Sequence, residues 1–133
     1  MKKTLVPGVS GEKQHRVVTE NLVSFRRPGA PPVLATPWLL SIMEAAAQEA
    51  ILPHLESGEA SVGFGFEFQH LAPTPAGDTV VATARVTAVN GKRVYFDFEA
   101  RDSRTLVAQG KHIRAVINVD RFNERLRRRD ETA

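Results

Sequence analysis

Three polar side chains stand where the surrounding pattern asks for apolar ones or where a helix must begin: Thr36, Glu44 and His70. Thr36 precedes Pro37, which reads as a helix start, because proline suits the first helical position and pushes the residue before it into the extended conformation of an N-cap. A hydroxyl there is first a cap. It also sits beside free N–H groups and the positive end of the helix dipole, where a developing oxyanion is stabilised. Glu44 shares a stripe with Leu40, Ala47 and Ile51, at spacings of four, three and seven. A carboxylate in an apolar setting titrates high and suits a base or nucleophile. The competing reading is a helix charge that reaches solvent. Glu49 is flanked similarly by Trp38, Ile42 and Ala45, so periodicity does not choose between the two carboxylates. His70 extends an alternating face made by Val62, Phe64, Phe66 and Phe68. If that face covers the helix, the imidazole points toward the carboxylates, either as a catalytic base or as a hydrogen-bonded core residue. Gly63 and Gly65 inside the run signal close approach by a ligand, or a bulge. His15, His54 and His112 have no metal-site spacing with Asp or Glu, so neither a metal nor another cofactor is expected.

The helix that must carry Thr36 and Glu44 runs from Pro37 to about Leu52, where Pro53 ends or kinks it, and spans about 24 Å. Apolar residues surround its two charges almost on every side, which marks a buried helix, and its alanines let a sheet approach closely. Residues 15–25 carry β-branched residues and read as a first strand, followed by a proline-rich loop at 26–32. Strands follow at 61–70 and 79–89. Asn90-Gly91 predicts a type I′ hairpin turn into a strand containing Val94, Phe96, Phe98 and Ala100. A last strand covers about 105–119, and Asp120 is expected to cap a short terminal helix with Phe122 and Leu126 on one face. The order is strand, long apolar helix, then four antiparallel strands: an α+β chain without internal repeats. One helix cannot cover both sides of five strands, so part of the sheet must face water or another subunit.

At 133 residues the chain fits one domain, with 1–13 and 127–133 expected as loosely ordered tails. There are no cysteines, which excludes disulfides, thiolate metal sites and a cysteine nucleophile, and fits a reducing, cytoplasmic compartment. The N-terminus has charge but no apolar stretch behind it, unlike a signal peptide, and no segment approaches the roughly 18 apolar residues of a membrane helix. The net charge is +3, with Arg125, Arg127, Arg128 and Arg129 clustered near the C-terminus. They read as a solvated terminal helix, while the diffuse positive field would attract a polyanion such as coenzyme A. No nucleic-acid-binding pattern accompanies them, and neither a nucleic-acid nor a membrane partner is expected.

Several runs together resemble the hot-dog thioesterases related to fluoroacetyl-coenzyme A thioesterase. They are Val33-Leu34-Ala35-Thr36, Met43-Glu44, residues 55–63, Gln69-His70, residues 74–80 and Arg114-Ala115-Val116-Ile117. The similarity covers roughly residues 15–125. Its specificity lies in a threonine, a glutamate eight residues later and a histidine twenty-six beyond that. The resemblance implies a hot-dog fold, a long central helix wrapped by an antiparallel sheet of about five strands, paired into a homodimer with active sites at the interface. It implies acyl-coenzyme A hydrolysis by a triad of Thr36, Glu44 and His70, with Gly63 against the substrate. Phe64, beside Gly63, and Arg114, a matching position without an assigned role, join Gly63 as expected substrate-binding residues. Trp38, Phe64, Phe66 and Phe68 depart from what the fluoroacetyl enzyme would have there, so its acyl preference is not implied.

A thioester's leaving thiol has a pKa near 8.5, as for cysteine, so the demanding steps are delivering a nucleophile and stabilising the oxyanion. His70 is expected to act as base toward Thr36 or a water, and Glu44 either to orient His70 or to attack the carbonyl. The N–H groups at the helix start are expected to hold the oxyanion. A non-catalytic acyl-coenzyme A binder on the same fold would not need all three side chains. A hot-dog hydratase resembles a different pattern, with Asp and His close together where this chain has Thr36-Pro37-Trp38.

Overall fold

The computed structural model describes residues 1–132. Five antiparallel strands form one sheet in the order β1-β3-β4-β5-β2: β1 Ser10–Arg16, β2 Glu59–His70, β3 Thr79–Asn90, β4 Arg93–Arg101 and β5 Leu106–Asn118. A helical turn, α1 (Val23–Arg26), precedes the long helix α2 (Thr36–Ile51), and α3 (Val119–Thr132) closes the chain. α2 lies on one face of the sheet. Its Leu39, Ile42, Met43, Ala46, Ala47, Ala50 and Ile51 are buried against Val80, Ala82, Ala84 and Val86 of β3, and Val94, Phe96, Phe98 and Ala100 of β4. Each large apolar side chain so buried contributes roughly 1.5–3 kcal/mol. The alanines do what their size allows: β1 crosses the helix so closely that a Cβ on Gly11 would collide with the Ala46 carbonyl and the Ala50 backbone. Burial is not all round, since Trp38 remains 43% exposed and stacks on His15.

The first strand ends earlier than its β-branched residues suggest. Asn21 Oδ1 accepts the Val18 N–H at 2.9 Å and bonds His15 Nε2 at 2.8 Å, pulling Thr19–Asn21 into a 3₁₀ turn. A local side-chain bond of this kind competes with the sheet ladder. The N-terminal segment is packed rather than loose: Leu5 is buried and the Lys2 N–H donates to the His54 carbonyl. At the other end α3 runs through 127–132, with Arg127 and Arg128 paired to Glu124. Its first turn is held by Asn118 Oδ1, which accepts the Arg121 N–H, and not by Asp120. The hairpin between β3 and β4 turns on Gly91 and Lys92, one residue later than expected. Only Gly91 has a positive φ, 61°, the pattern of a type II′ turn. No helix among the described residues is long and apolar enough to cross a membrane.

The feature that most affects the site is a bulge in β2. Gly63 pairs with Arg114 of β5 and Gly65 with Ile113, so Phe64 is an extra residue. An unbroken alternation would put Val62 and Phe64 on the helix side with His70. The bulge exchanges the faces: Ser61 and Gly63 face the helix before it, and Phe66, Phe68 and His70 after it.

Candidate active site

Thr36 is the first residue of α2, not its cap. The residue before it, Ala35, has the extended cap conformation, and its carbonyl accepts the Trp38 and Leu39 N–H groups at 3.0 and 3.2 Å. The threonine hydroxyl is therefore free of the backbone, and it lies 2.9 Å from His70 Nδ1. Thr36 is exposed and His70 half-buried, with Nε2 buried and without a hydrogen-bond partner among the described residues. His70 ends the edge strand β2, opposite Ala108 of β5. The expected set of helix N–H donors is reduced. Pro37 has none, those of Trp38 and Leu39 are taken by Ala35, and among the described residues the Thr36 N–H remains without a backbone partner at this helix start.

Glu44 lies two turns further along α2, about 12 Å by helical rise. Its surroundings are not apolar, as the stripe suggested. Oε2 accepts a 2.9 Å hydrogen bond from Arg114 Nη1, an ion pair in which the guanidinium is 1% exposed and the carboxylate 34%. No hydrogen bond joins Glu44 to His70 among the described residues. The three residues expected as a triad lie in two separate pairs, Thr36–His70 and Glu44–Arg114. The two helical carboxylates lie in different surroundings: Glu49 is exposed, while Glu44 is half-buried and faces the sheet.

Arg114 was expected among substrate contacts, but its side chain is buried and committed to protein. Nε donates to Ser61 Oγ, Nη2 to the Ser61 carbonyl, both at 2.9 Å, and Nη1 lies 3.2 Å from His112 Nε2. His112 Nδ1 lies 2.8 Å from the Gly65 carbonyl, and its ring stacks on Phe66 with centroids 4.1 Å apart. Burial pushes the His112 pKa below its ordinary value, and the neighbouring Arg114 charge adds to this. Ser61 and His112 were not singled out from sequence. A signal existed: Ala108, Gly110, His112, Arg114 and Val116 alternate on one face of β5, and two polar residues inside such a face need partners.

Gly63 sits directly over the carboxylate. A Cβ there would come within 2.8 Å of Glu44 Oε2, so the glycine makes room for Glu44 itself. Phe64, the extra residue of the bulge, is 54% exposed with the Arg93 guanidinium 3.8 Å above its ring. It is thus engaged from β4 on the outer side of the sheet, away from Glu44. A depression of about 710 Å³ lies on that outer side, lined by residues such as Glu67, Arg85, Asp97 and Lys111, and none of Thr36, Glu44, Gly63 or His70 borders it.

Residues 17–120 match the family of fluoroacetyl-CoA-specific thioesterases. The fluoroacetyl-CoA thioesterase of Streptantibioticus cattleyicolor is 38% identical over 99 residues, 74% of this chain and 71% of that protein. Among solved structures, a mutant of the fluoroacetyl-CoA-specific thioesterase FlK superposes with a TM-score of 0.87 at 33% identity, covering 96% of this chain and 99% of the other. A thioesterase superfamily member from Thermus thermophilus gives 0.88 at 32% identity, covering 95% and 93%. A threonine-to-serine mutant of FlK in complex with acetyl-CoA gives 0.84 at 32% identity, covering 92% and 97%. With the sheet curled round α2 and the polar pairs beneath it, these likenesses place the chain in the fluoroacetyl-CoA-specific thioesterase family, as a hot-dog fold thioesterase.

Proposed function

We propose that the enzyme hydrolyses an acyl-coenzyme A thioester to the free acid and coenzyme A, using Thr36, His70 and Glu44. The observation that carries this reading is the 2.9 Å contact between the Thr36 hydroxyl and His70 Nδ1 at the start of α2, where nothing on the backbone competes for the hydroxyl. Two routes use the same atoms. In one, His70 takes the Thr36 proton as the oxygen attacks the carbonyl. The coenzyme A sulfur leaves and takes up that proton; water then attacks the acyl ester with His70 again as base, and the proton passes to the Thr36 oxygen as the free acid leaves. In the other, His70 or Glu44 takes the proton of a water that attacks directly, and the proton passes to the departing sulfur. Glu44 holds Arg114 through Oε2, while Oε1 has no partner among the described residues and is free to act on the carbonyl or the water. The Thr36 N–H, at the positive end of the helix, serves the oxyanion.

A homodimer is part of this reading. β2 is an edge strand of twelve residues. It leaves a row of backbone groups unpaired, and Phe64 and Phe66 on it are 54% and 42% exposed. A second copy pairing along β2 would cover these rings and the open side of Glu44. The cytoplasm suits a chain with no cysteine to oxidise. The test of the activity is release of free thiol from acyl-coenzyme A substrates of graded chain length, fluoroacetyl-CoA included. Turnover of one or more, lost in His70→Ala, is expected, and no thiol release from any of them overturns the proposal. Light scattering tests the assembly: twice 14.6 kDa is expected, and a mass near 14.6 kDa at micromolar concentration refutes the dimer.

A further inference from the structure

A buried guanidinium next to a working carboxylate needs something to hold it in place, because arginine carries five donors and a long flexible stem. In this enzyme Arg114 is 1% exposed, and Ser61 takes Nε and Nη2 through its hydroxyl and its carbonyl. Nη1 has two hydrogens and two partners, Glu44 Oε2 at 2.9 Å and His112 Nε2 at 3.2 Å. Arginine does not give up its proton, so His112 Nε2 must accept. The Gly65 carbonyl can only accept, so Nδ1 must carry the imidazole proton. These partners assign His112 as neutral, in the Nδ1–H form. The ring is clamped between Phe66 and Phe98, with centroids 4.1 and 5.7 Å away. A chain of bonds therefore runs from the Gly65 carbonyl, just past the bulge, through His112 and Arg114 to Glu44.

We infer that His112 and Arg114 are positioning residues for Glu44: His112 fixes the rotation of the guanidinium, and the guanidinium fixes which carboxylate oxygen faces the reacting carbonyl. The inference rests on Glu44 acting on substrate, as proposed above. A carboxylate one-third exposed on a flexible side chain has several rotamers of similar energy. Tying Oε2 to a buried, fourfold-bonded guanidinium leaves Oε1 alone pointing outward. Displacement of a reacting group by about 1 Å costs on the order of 100-fold in rate, so a positioning effect is large enough to measure.

Two substitutions at His112 split the relay from a purely structural role. In His112→Gln the amide oxygen can still accept Nη1, while the bond to Gly65 is lost. In His112→Asn the amide can still donate to the Gly65 carbonyl but does not reach Arg114. Turnover, KM and melting temperature would be measured with the fastest substrate of the acyl-coenzyme A series, for both variants, for Glu44→Gln and for the double variant Glu44→Gln/His112→Asn. His112→Asn should lose about 10- to 100-fold in kcat with KM changed less than about threefold, and His112→Gln should stay within about fivefold of wild type. In the Glu44→Gln background the asparagine should cost less than about twofold more, because it acts through the carboxylate already removed. A structural role predicts the reverse order, with asparagine the milder change, or losses that multiply in the double variant; either overturns the relay. A slow Glu44→Gln beside a His112→Asn of normal turnover overturns the relay alone. A Glu44→Gln of wild-type turnover overturns the reading of Glu44 itself.

Discussion

Two places along α2, its start and the turn that carries Glu44, are built in opposite ways. At the start of the helix, Thr36 and His70 share one hydrogen bond, Thr36 is exposed, and the buried His70 Nε2 has no partner among the described residues. Two turns along, Glu44 meets an arginine that is buried and bonded to Ser61, His112 and the carboxylate at once. Groups that exchange protons with a substrate must be reachable and cannot have every lone pair engaged. A group that must point one way benefits from partners that cannot move. Under the proposed function, proton transfer falls to the helix start and directional placement to the Glu44 end.

The largest expected effect would come from the lightly bonded end. His70→Ala should reduce turnover by roughly 10²–10⁴, the usual contribution of positioned acid–base catalysis, with little change in melting temperature because the ring makes a single hydrogen bond. A variant that melts early yet keeps normal turnover per folded molecule would turn His70 into a packing residue and erase the contrast. Glu44→Gln should lower turnover by about two orders of magnitude and still fold, since its amide oxygen can accept Nη1, while Glu49→Gln should change little. Equal losses at the two positions would break the assignment of the buried end.

Thr36→Val removes the hydroxyl and keeps the branched side chain. Because Thr36 makes no capping bond, this variant should melt within a few degrees of wild type and lose most activity, whereas Thr36→Ser should retain a measurable rate. A stability loss of about 1 kcal/mol, typical of a lost N-cap, would show that the cap reading was right after all. Gly63→Ala presses a methyl group to 2.8 Å from Glu44 Oε2, the far end of a flexible side chain. The fold should tolerate it, and kcat should fall about tenfold as the carboxylate moves off Arg114. An unchanged kcat with a raised KM would point instead to Gly63 as a substrate contact.

The smallest effect concerns pH. His112 is held neutral by burial, with its folded pKa below the ordinary value, so the unfolded chain binds its proton more readily. Its contribution to stability is present above about pH 6.5 and is lost as pH falls from there toward the folded pKa. Arg114 on its own strand and Glu44 from α2 are the charged groups that face it, while β2 and β4 present Phe66, Phe96, Phe98 and the Gly65 carbonyl. The melting temperature should be lower at pH 5.5 than at 7.5, and the difference should shrink in His112→Gln. An unchanged difference would assign the acid sensitivity to another group. Glu59 and Asp78 have lowered carboxyl pKa values, and their stabilising effect is lost only below about pH 4.5 and 3.8, outside this window.

By itself the sequence determined the long helix, the strand segments after it and the family. Pro37 and Pro53 bracket an alanine-rich apolar run, and period-two alternation marks the strands that follow. These are local signals, set by each residue's effect on its own backbone. The first strand was misplaced because the Asn21 side chain captures the Val18 N–H and bonds His15, contacts that propensity does not record. Only the tertiary structure decided which residues meet. One extra residue at Phe64 exchanged the faces of β2, and with period two that moves Gly63 onto Glu44 and Phe64 away from it. Arg114 looked like a ligand contact as long as nothing showed that it lies under the helix, 70 residues along the chain from the carboxylate it holds. The alternation along β5 placed His112 beside Arg114. What each of them bonds depends on α2 and β2 being folded against that strand, and contacts between segments so far apart in the chain leave no mark in the residues around each one.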